Sequence, residues 1–173
     1  MILKPLVKKI RSLLLAALMV VSVVTIILLR YNAVIELGEF NRSSTLPVKL
    51  GARWRGGEEH GLILSQNETF GEVIYRNEGG TLLVGASGFP DVTSPSRITS
   101  LAVSGTDFSI LGIKVGCKGA RDILKAEGYS VKSTATGLIG VKGRITVRVI
   151  TDEGVVVSVT ATLESSNIMG VQF

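Results

Sequence analysis

The sequence predicts an α+β fold, in which an N-terminal transmembrane helix is followed by one domain of mostly antiparallel sheet with a short helix near 118–127. Three observations lead to this prediction. An uncharged apolar run occupies 12–29, several later segments alternate apolar with polar residues, and one segment repeats its apolar residues at helical spacing. An apolar sheet face and an apolar helix stripe can bury each other, which is the α+β arrangement.

The apolar run from Ser12 to Leu29 contains no charged residue. A helix rises about 1.5 Å per residue, so the run reaches roughly 27 Å, close to the hydrocarbon thickness of a bilayer. The sequence therefore predicts a membrane anchor at 12–29. A cleaved secretory signal is the alternative. Its apolar region usually spans about 7–15 residues and ends in small residues, whereas Leu28 and Leu29 are bulky.

The basic residues around the run predict its orientation. Lys4, Lys8, Lys9 and Arg11 precede it, and only Arg30 follows it closely. Positive charge is retained on the cytoplasmic side of a membrane, so we expect the N-terminus inside and the later residues outside a cell membrane crossed once. The predicted organisation is a cytoplasmic tail at 1–11, the anchor at 12–29, a stalk at 30–45 and an extracytoplasmic α+β domain at 46–173.

The charge balance argues against a nucleic-acid partner. The chain has 19 Lys and Arg against 14 Asp and Glu, and four of the basic residues precede the anchor. The remaining charges are nearly balanced, so the basic excess is an orientation signal and not a polyanion-binding stripe. Cys117 is the only cysteine, which excludes an intrachain disulfide. An outside domain without disulfides fits a bacterial surface better than an animal one.

The first predicted hairpin joins Phe70–Arg76 to Thr81–Ala86 through Asn77, Glu78, Gly79 and Gly80. Asparagine and glycine readily adopt the backbone angles of a tight turn, which favours a hairpin here. The segment from Gly88 to Arg97 contains two prolines and is predicted to be a loop. Ile98–Gly105 alternates along a third strand.

The predicted helix lies between Lys118 and Glu127, where Ala120, Ile123 and Leu124 fall on one face and Gly128 is suited to end it. The strands after it close the domain as an antiparallel meander, and the last two form a hairpin around Asp152-Glu153-Gly154. These strands are Tyr129–Lys132, Gly137–Val141, Arg144–Ile150 and Val155–Leu163.

The segment 30–66 gives weaker patterns. Val34–Leu37 and Pro47–Leu50 are interpreted as short strands, and Gly51–Gly61 as a polar loop with the only tryptophan and the only histidine. Within that loop, Arg53, Trp54 and Arg55 form the candidate binding site, because tryptophan and arginine are enriched at binding hot spots. The alternative is that Trp54 packs into the core while both arginines stay solvated.

Candidate catalytic and metal-binding residues are few. A thiol enzyme would use Cys117 as its nucleophile and His60 as its base. Glu58, Glu59 and His60 are adjacent, a spacing that suits one metal ion poorly, so no metal site and no cofactor are predicted. We expect no catalytic residue and no enzyme activity.

Residues 97–163 resemble a recurring bacterial envelope module. The resemblance rests on Ile98–Val103, the turn Gly112-Ile113-Lys114-Val115-Gly116, the helix ending at Gly128-Tyr129 and the closing meander. These features are similar to the helix-plus-sheet units of SmpA/OmlA lipoproteins and β-lactamase-inhibitor-like proteins, and to uncharacterised membrane-tethered proteins of Gram-positive bacteria. The resemblance implies non-catalytic binding to other envelope proteins through the sheet face or the loops. Cys117-Lys118 departs from the helix-capping Asp or Ser of that pattern.

The expected function is therefore a single-pass, membrane-anchored binding or structural module of the bacterial cell envelope. It would contact the membrane through 12–29 and an envelope protein through its domain. Three alternatives remain open: an envelope thiol enzyme using Cys117, a secreted domain released by signal cleavage, and an anchor whose span pairs with another membrane protein. The span offers only Ala16, Ala17 and Ser22 for close helix pairing.

Overall fold

A computed structural model of the 173-residue chain describes residues 3–69, 72–87 and 97–164. The chain divides into two compact units, the first ending at Ile35 and the second beginning at Glu36. The predicted α+β fold is confirmed. The helices are α1 (Leu3–Ser43) and α2 (Ala120–Ala126), with a short 3-10 turn at Glu58–His60. The strands are β1 (Ile63–Thr69), β2 (Glu72–Arg76), β3 (Leu82–Ser87), β4 (Arg97–Val103), β5 (Ser130–Thr134), β6 (Gly137–Lys142), β7 (Ile145–Asp152) and β8 (Val155–Leu163).

Helix α1 is the one helix in the described part of the chain that is long and apolar enough to cross a membrane. Its apolar window begins at Leu13, and none of it is buried. Leu13, Leu18 and Leu29 each keep more than half of their surface exposed. Ser22 and Thr25 donate their hydroxyl protons to carbonyls one turn back, so their polar groups are paired within the helix. The prediction of an N-terminal helix able to span a bilayer is confirmed.

The second unit includes the last two turns of α1. The helix continues through Ser43, so the segment predicted as a stalk is helical over most of its length. Phe40 in these turns is only 1% exposed and belongs to the core of the sheet domain. The interpretation of Val34–Leu37 as a strand is wrong, because these residues continue α1. Pro47–Leu50 is not a strand either, although Val48 and Leu50 are buried in the core.

The eight strands form one antiparallel sheet in the order β1-β2-β3-β4-β8-β7-β6-β5. Each half is a meander of four consecutive strands, and the pairing of β4 with β8 joins the halves. The predicted hairpins are confirmed, with Arg76 opposite Leu83 in one and Asp152 opposite Val155 in the other. Strand β1 was not predicted. The predicted loop at 88–97 lies largely outside the described residues.

The core lies on one face of the sheet. Val84, Leu101, Val147 and Val159 point into it and are fully buried. The residues that cover them come from the end of α1, from α2 and from the connections around 46–54 and 108–117. The side of the sheet that carries this core is its inner face, and the opposite side is its outer face.

Helix α2 packs on the inner face through the predicted stripe. Ala120 and Leu124 are buried, and Ile123 packs against the core. Its N-cap is Gly119 in a left-handed conformation, without a side-chain cap. At the other end Gly128 (φ 82°) lets the Tyr129 amide donate to the Leu124 carbonyl at 2.9 Å. This is the ending that the glycine predicted.

Candidate binding surface

The segment 51–53 extends the sheet beside the start of β4. The Gly51 amide donates to the Ile98 carbonyl at 2.8 Å, and the Ile98 amide donates to the Ala52 carbonyl at 2.9 Å. Gly51 (φ 75°) permits the turn that enters this segment. The segment occupies the side of β4 on which β8 pairs further along, at Ser100–Val103. Main-chain hydrogen bonds therefore hold the Arg53-Trp54-Arg55 segment against the sheet.

The Trp54 side chain is half-buried and packs against the core. Its ring lies 4.5 Å from that of Tyr75, centroid to centroid, with the planes tilted by 42°. The His60 ring lies 6.0 Å away, brought there by the 3-10 turn. Such tilted aromatic contacts are favourable beyond the area that they bury. Trp54 thus fixes the segment in place from the inner side, as the core-packing alternative expected.

Arg53 and Arg55, on either side of Trp54, are exposed. Arg53 forms an antiparallel bridge with Arg97, which is also exposed. The hydrogen bond from Ile98 to Ala52 flanks this pair, so Arg53 and Arg97 form a non-hydrogen-bonded antiparallel pair. In such pairs the Cα atoms lie about 4.5 Å apart. The structure therefore adds Arg97 to the predicted site. No sequence signal identifies it, because the pairing joins segments that are distant in the chain.

The outer face is uncovered in the part of the chain that the structure describes. One row of directly paired residues crosses seven strands, and it contains three cationic side chains and no carboxylate. This row is Arg76, Leu83, Ala102, Thr160, Arg148, Ile139 and Lys132. Five of the 19 basic residues precede Glu36, which leaves 14 against 14 acidic residues in the second unit. The formal charges of the second unit balance, yet three of its basic residues lie in this one row of the outer face.

A cleft forms where the end of α1 meets the end of α2. Lys142 donates to the Glu39 carboxylate at 2.9 Å and to the Glu127 carbonyl at 2.9 Å. The Ser43 hydroxyl reaches the Glu127 carboxylate at 3.4 Å. Burial raises the pKa of Tyr129 above its usual value, and the charges of Glu127, Glu36 and Glu39 raise it further. Lys142 thus bonds to the end of α1 and to the end of α2, so it serves as a structural clamp between them.

The residues of the thiol-enzyme alternative lie in different environments. Cys117 is half-buried in the connection before α2, where its carbonyl accepts a hydrogen bond from the Val156 amide at 2.9 Å. The His60 ring lies beside Trp54. Among the described residues, no hydrogen bond joins the Cys117 thiol to His60. Within the described ranges, no group of three His, Cys, Asp or Glu side chains could hold a metal ion.

No protein-family model, no curated protein and no solved structure matches this chain. The comparisons therefore assign no family. The resemblance of residues 97–163 to bacterial envelope modules stays a prediction, and the function must be argued from the surface itself.

Proposed function

We propose that this protein is a single-pass, membrane-anchored binding module of the bacterial cell envelope, with its sheet domain outside the membrane. The observation that carries the proposal is the exposure of Arg53, Arg55 and Arg97 around a packed tryptophan, in a chain whose N-terminal helix is able to cross a bilayer. A rigid backbone that presents arginine side chains beside an aromatic anchor is typical of a binding surface.

The orientation rests on the charges that flank the anchor. Four basic residues precede it, and the acidic residues of the chain all follow it. Basic residues next to a span tend to stay in the cytoplasm, which supports a sheet domain outside the membrane. A domain that lacks disulfides fits a bacterial envelope, as does the resemblance of 97–163 to envelope modules. Retention of the anchor is part of the proposal.

A binding role is favoured over the thiol enzyme. A cysteine nucleophile needs a base within hydrogen-bond reach or one water away. The Cys117 side chain packs against the hydrophobic core, and the His60 ring contacts the aromatic ring of Trp54. The exposed side chains around Trp54 are hydrogen-bond donors, suited to holding a ligand and not to activating a nucleophile.

Cysteine labelling in intact cells tests the topology. In a Cys117→Ser background, Gly79→Cys places a thiol in the exposed turn between β2 and β3, where an added Cβ meets nothing closer than 3.8 Å. A membrane-impermeant maleimide should label this variant at full-length mass in the membrane fraction. The matched variant Lys4→Cys should be labelled only after permeabilisation, because it precedes the anchor.

The opposite pattern, with Lys4→Cys labelled in intact cells and Gly79→Cys protected, would reverse the topology. Labelled protein released into the medium with a shortened N-terminus would show a cleaved signal and remove the anchor from the proposal.

A further inference from the structure

The opposed arginines are unfavourable for the isolated protein. Arg53 and Arg97 occupy directly paired positions on the outer face, and like charges in such positions destabilise a sheet. Among the side chains that the structure describes, the one ion pair joins Lys142 to Glu39, in the clamp at the end of α1. Arg53 and Arg97 therefore form no ion pair with any carboxylate whose side chain the structure describes. A fold that keeps two cations face to face in this way is suited to a negatively charged ligand between them.

The surroundings of the pair specify the ligand further. Arg55 follows Arg53 by two residues in the same segment and is exposed. Ser87 on β3 lies opposite Arg97 on its other side. Guanidinium groups only donate hydrogen bonds, and their planar forks match the oxygens of phosphate. A carboxylate offers two oxygens to one such fork, whereas a phosphate offers further oxygens and up to two charges to neighbouring forks.

We propose that Arg53 and Arg97, assisted by Arg55, bind a phosphate group of another envelope component. This inference deepens the proposed function, because it names the ligand chemistry of the same surface. Arg53, Arg55 and Arg97 are all exposed, so the phosphate can belong to a larger molecule. Its source is either a phospholipid headgroup or a soluble phosphate-containing molecule, and the experiment below separates the two.

Trp54 reports on this site directly, since it is the only tryptophan in the chain and lies between two of the arginines. The full-length protein in neutral detergent micelles is titrated with inorganic tripolyphosphate while Trp54 fluorescence is recorded. We expect a saturable change whose apparent affinity falls as salt is added. Arg53→Gln and Arg97→Gln should each weaken binding about tenfold or more, because each variant loses a charge-assisted hydrogen bond to the phosphate. Arg97→Lys should bind with intermediate affinity, because it keeps the charge and loses the fork.

Arg148→Gln is the matched control. Arg148 is an exposed arginine of the same outer face, about 19 Å from Arg97 by strand spacing and rise. Its removal should change the affinity less than twofold. Wild-type protein without a saturable change would overturn the proposal. An equal loss with Arg148→Gln would also overturn it, because binding would then be spread over the whole face.

Thermal unfolding separates a ligand site from a structural role of the arginines. Without phosphate, Arg97→Gln should keep or raise the melting temperature, because it removes a repulsion. Tripolyphosphate should raise the melting temperature of the wild type and not that of the variant, since a ligand stabilises only the state that binds it. A lower melting temperature of the variant, with its tripolyphosphate response intact, would overturn the proposal.

Lipid added to the micelles identifies the source of the phosphate. Phosphatidylglycerol is compared with the same mole fraction of phosphatidylcholine, whose phosphate is neutralised by choline. Competition with tripolyphosphate by phosphatidylglycerol alone would support a lipid headgroup as the ligand, and its absence would support a soluble phosphate compound. If tripolyphosphate does not bind but Gly79→Cys is labelled in intact cells, only the phosphate site is ruled out. If tripolyphosphate binds but Gly79→Cys is protected in intact cells, only the location of the domain outside the membrane is ruled out.

Discussion

Asn41 joins the end of α1 to the segment that leads into the candidate site. Its side-chain Nδ2 donates to the Leu50 carbonyl at 3.0 Å, and its Oδ1 accepts from the Leu50 amide at 2.8 Å. Leu50 is 1% exposed, so neither of these main-chain groups has ready access to water. Two residues later, Ala52 bonds to Ile98 and sets the position of Arg53. One asparagine thus ties the helix to the backbone that carries the arginines.

Replacing Asn41 tests this connection. Asn41→Ala should lower the free energy of unfolding by about 2–4 kcal/mol, because it leaves a buried donor and a buried acceptor unpaired. Urea unfolding followed by Trp54 fluorescence measures the loss. Asn32→Ala is the control, since Asn32 is an exposed asparagine of the same helix and should cost less than about 0.5 kcal/mol. Equal stability of the two variants would contradict the assigned role.

Tyr129 makes the stability of the domain fall with rising pH in the alkaline range. Its pKa is raised in the folded protein, chiefly by burial, so the folded state retains the phenolic proton more tightly than the unfolded chain. Stability is therefore fully present below the unfolded pKa of about 10 and falls as pH rises above it, by at most about 1.4 kcal/mol per pH unit. Tyr129→Phe should remove this decline between pH 9 and 11 in urea titrations. An identical decline in the variant would assign it to other groups.

At the scale of single residues, the sequence indicated the chemistry of the site but not its geometry. Arg53, Trp54 and Arg55 were recognisable because tryptophan and arginine are conspicuous in a glycine-rich loop. Arg97 was not, because its proximity to Arg53 depends on a bridge between a loop and a strand start. Trp54 itself packs on Tyr75, a contact that requires the fold of β2 to be known.

The end of α1 is the element whose role differs most from the expectation. The β-branched pair Val34-Ile35 suggests a strand, yet the residues continue a helix that has already formed. Helix extension adds one hydrogen bond for each residue fixed, which outweighs a weak strand preference. Leu37 and Phe40 then pack against the sheet core. Strands β7 and β8 were predictable because their apolar and polar residues alternate clearly. The polar sequence of β1 does not alternate, and it forms a strand because it pairs with β2.

Phe40 and Val34 provide a test on the same helix. Phe40→Ala removes a side chain that is 1% exposed and should destabilise the domain by about 3–5 kcal/mol through lost burial and a cavity. Val34, 68% exposed in this structure, should tolerate alanine with little change in domain stability. Urea unfolding monitored at Trp54 compares the variants. A small effect of Phe40→Ala would show that the last turns of α1 are dispensable to the domain.

At the scale of the whole molecule, the two faces of the sheet differ in composition and in exposure. The inner face carries the core, and the outer face presents arginine and lysine side chains to solvent. Alternation along the strands predicted that one face would be apolar. It could not predict the strand order, because β8 pairs with β4 across a long sequence separation. The outer-face row that carries Arg76, Arg148 and Lys132 emerges only from that order.

The strand order also has a consequence for synthesis of the chain. Strand β8 is the last of the described strands to be made, yet it lies in the interior of the sheet, between β4 and β7. Until β8 emerges, β4 and β7 each present an unpaired edge, and such edges promote aggregation. Closing the long loop between β4 and β8 is also the most costly of the strand pairings in entropy. The first meander and strands β5–β7 should therefore form early and stay incomplete until β8 is made, and during this interval their unpaired edges favour aggregation.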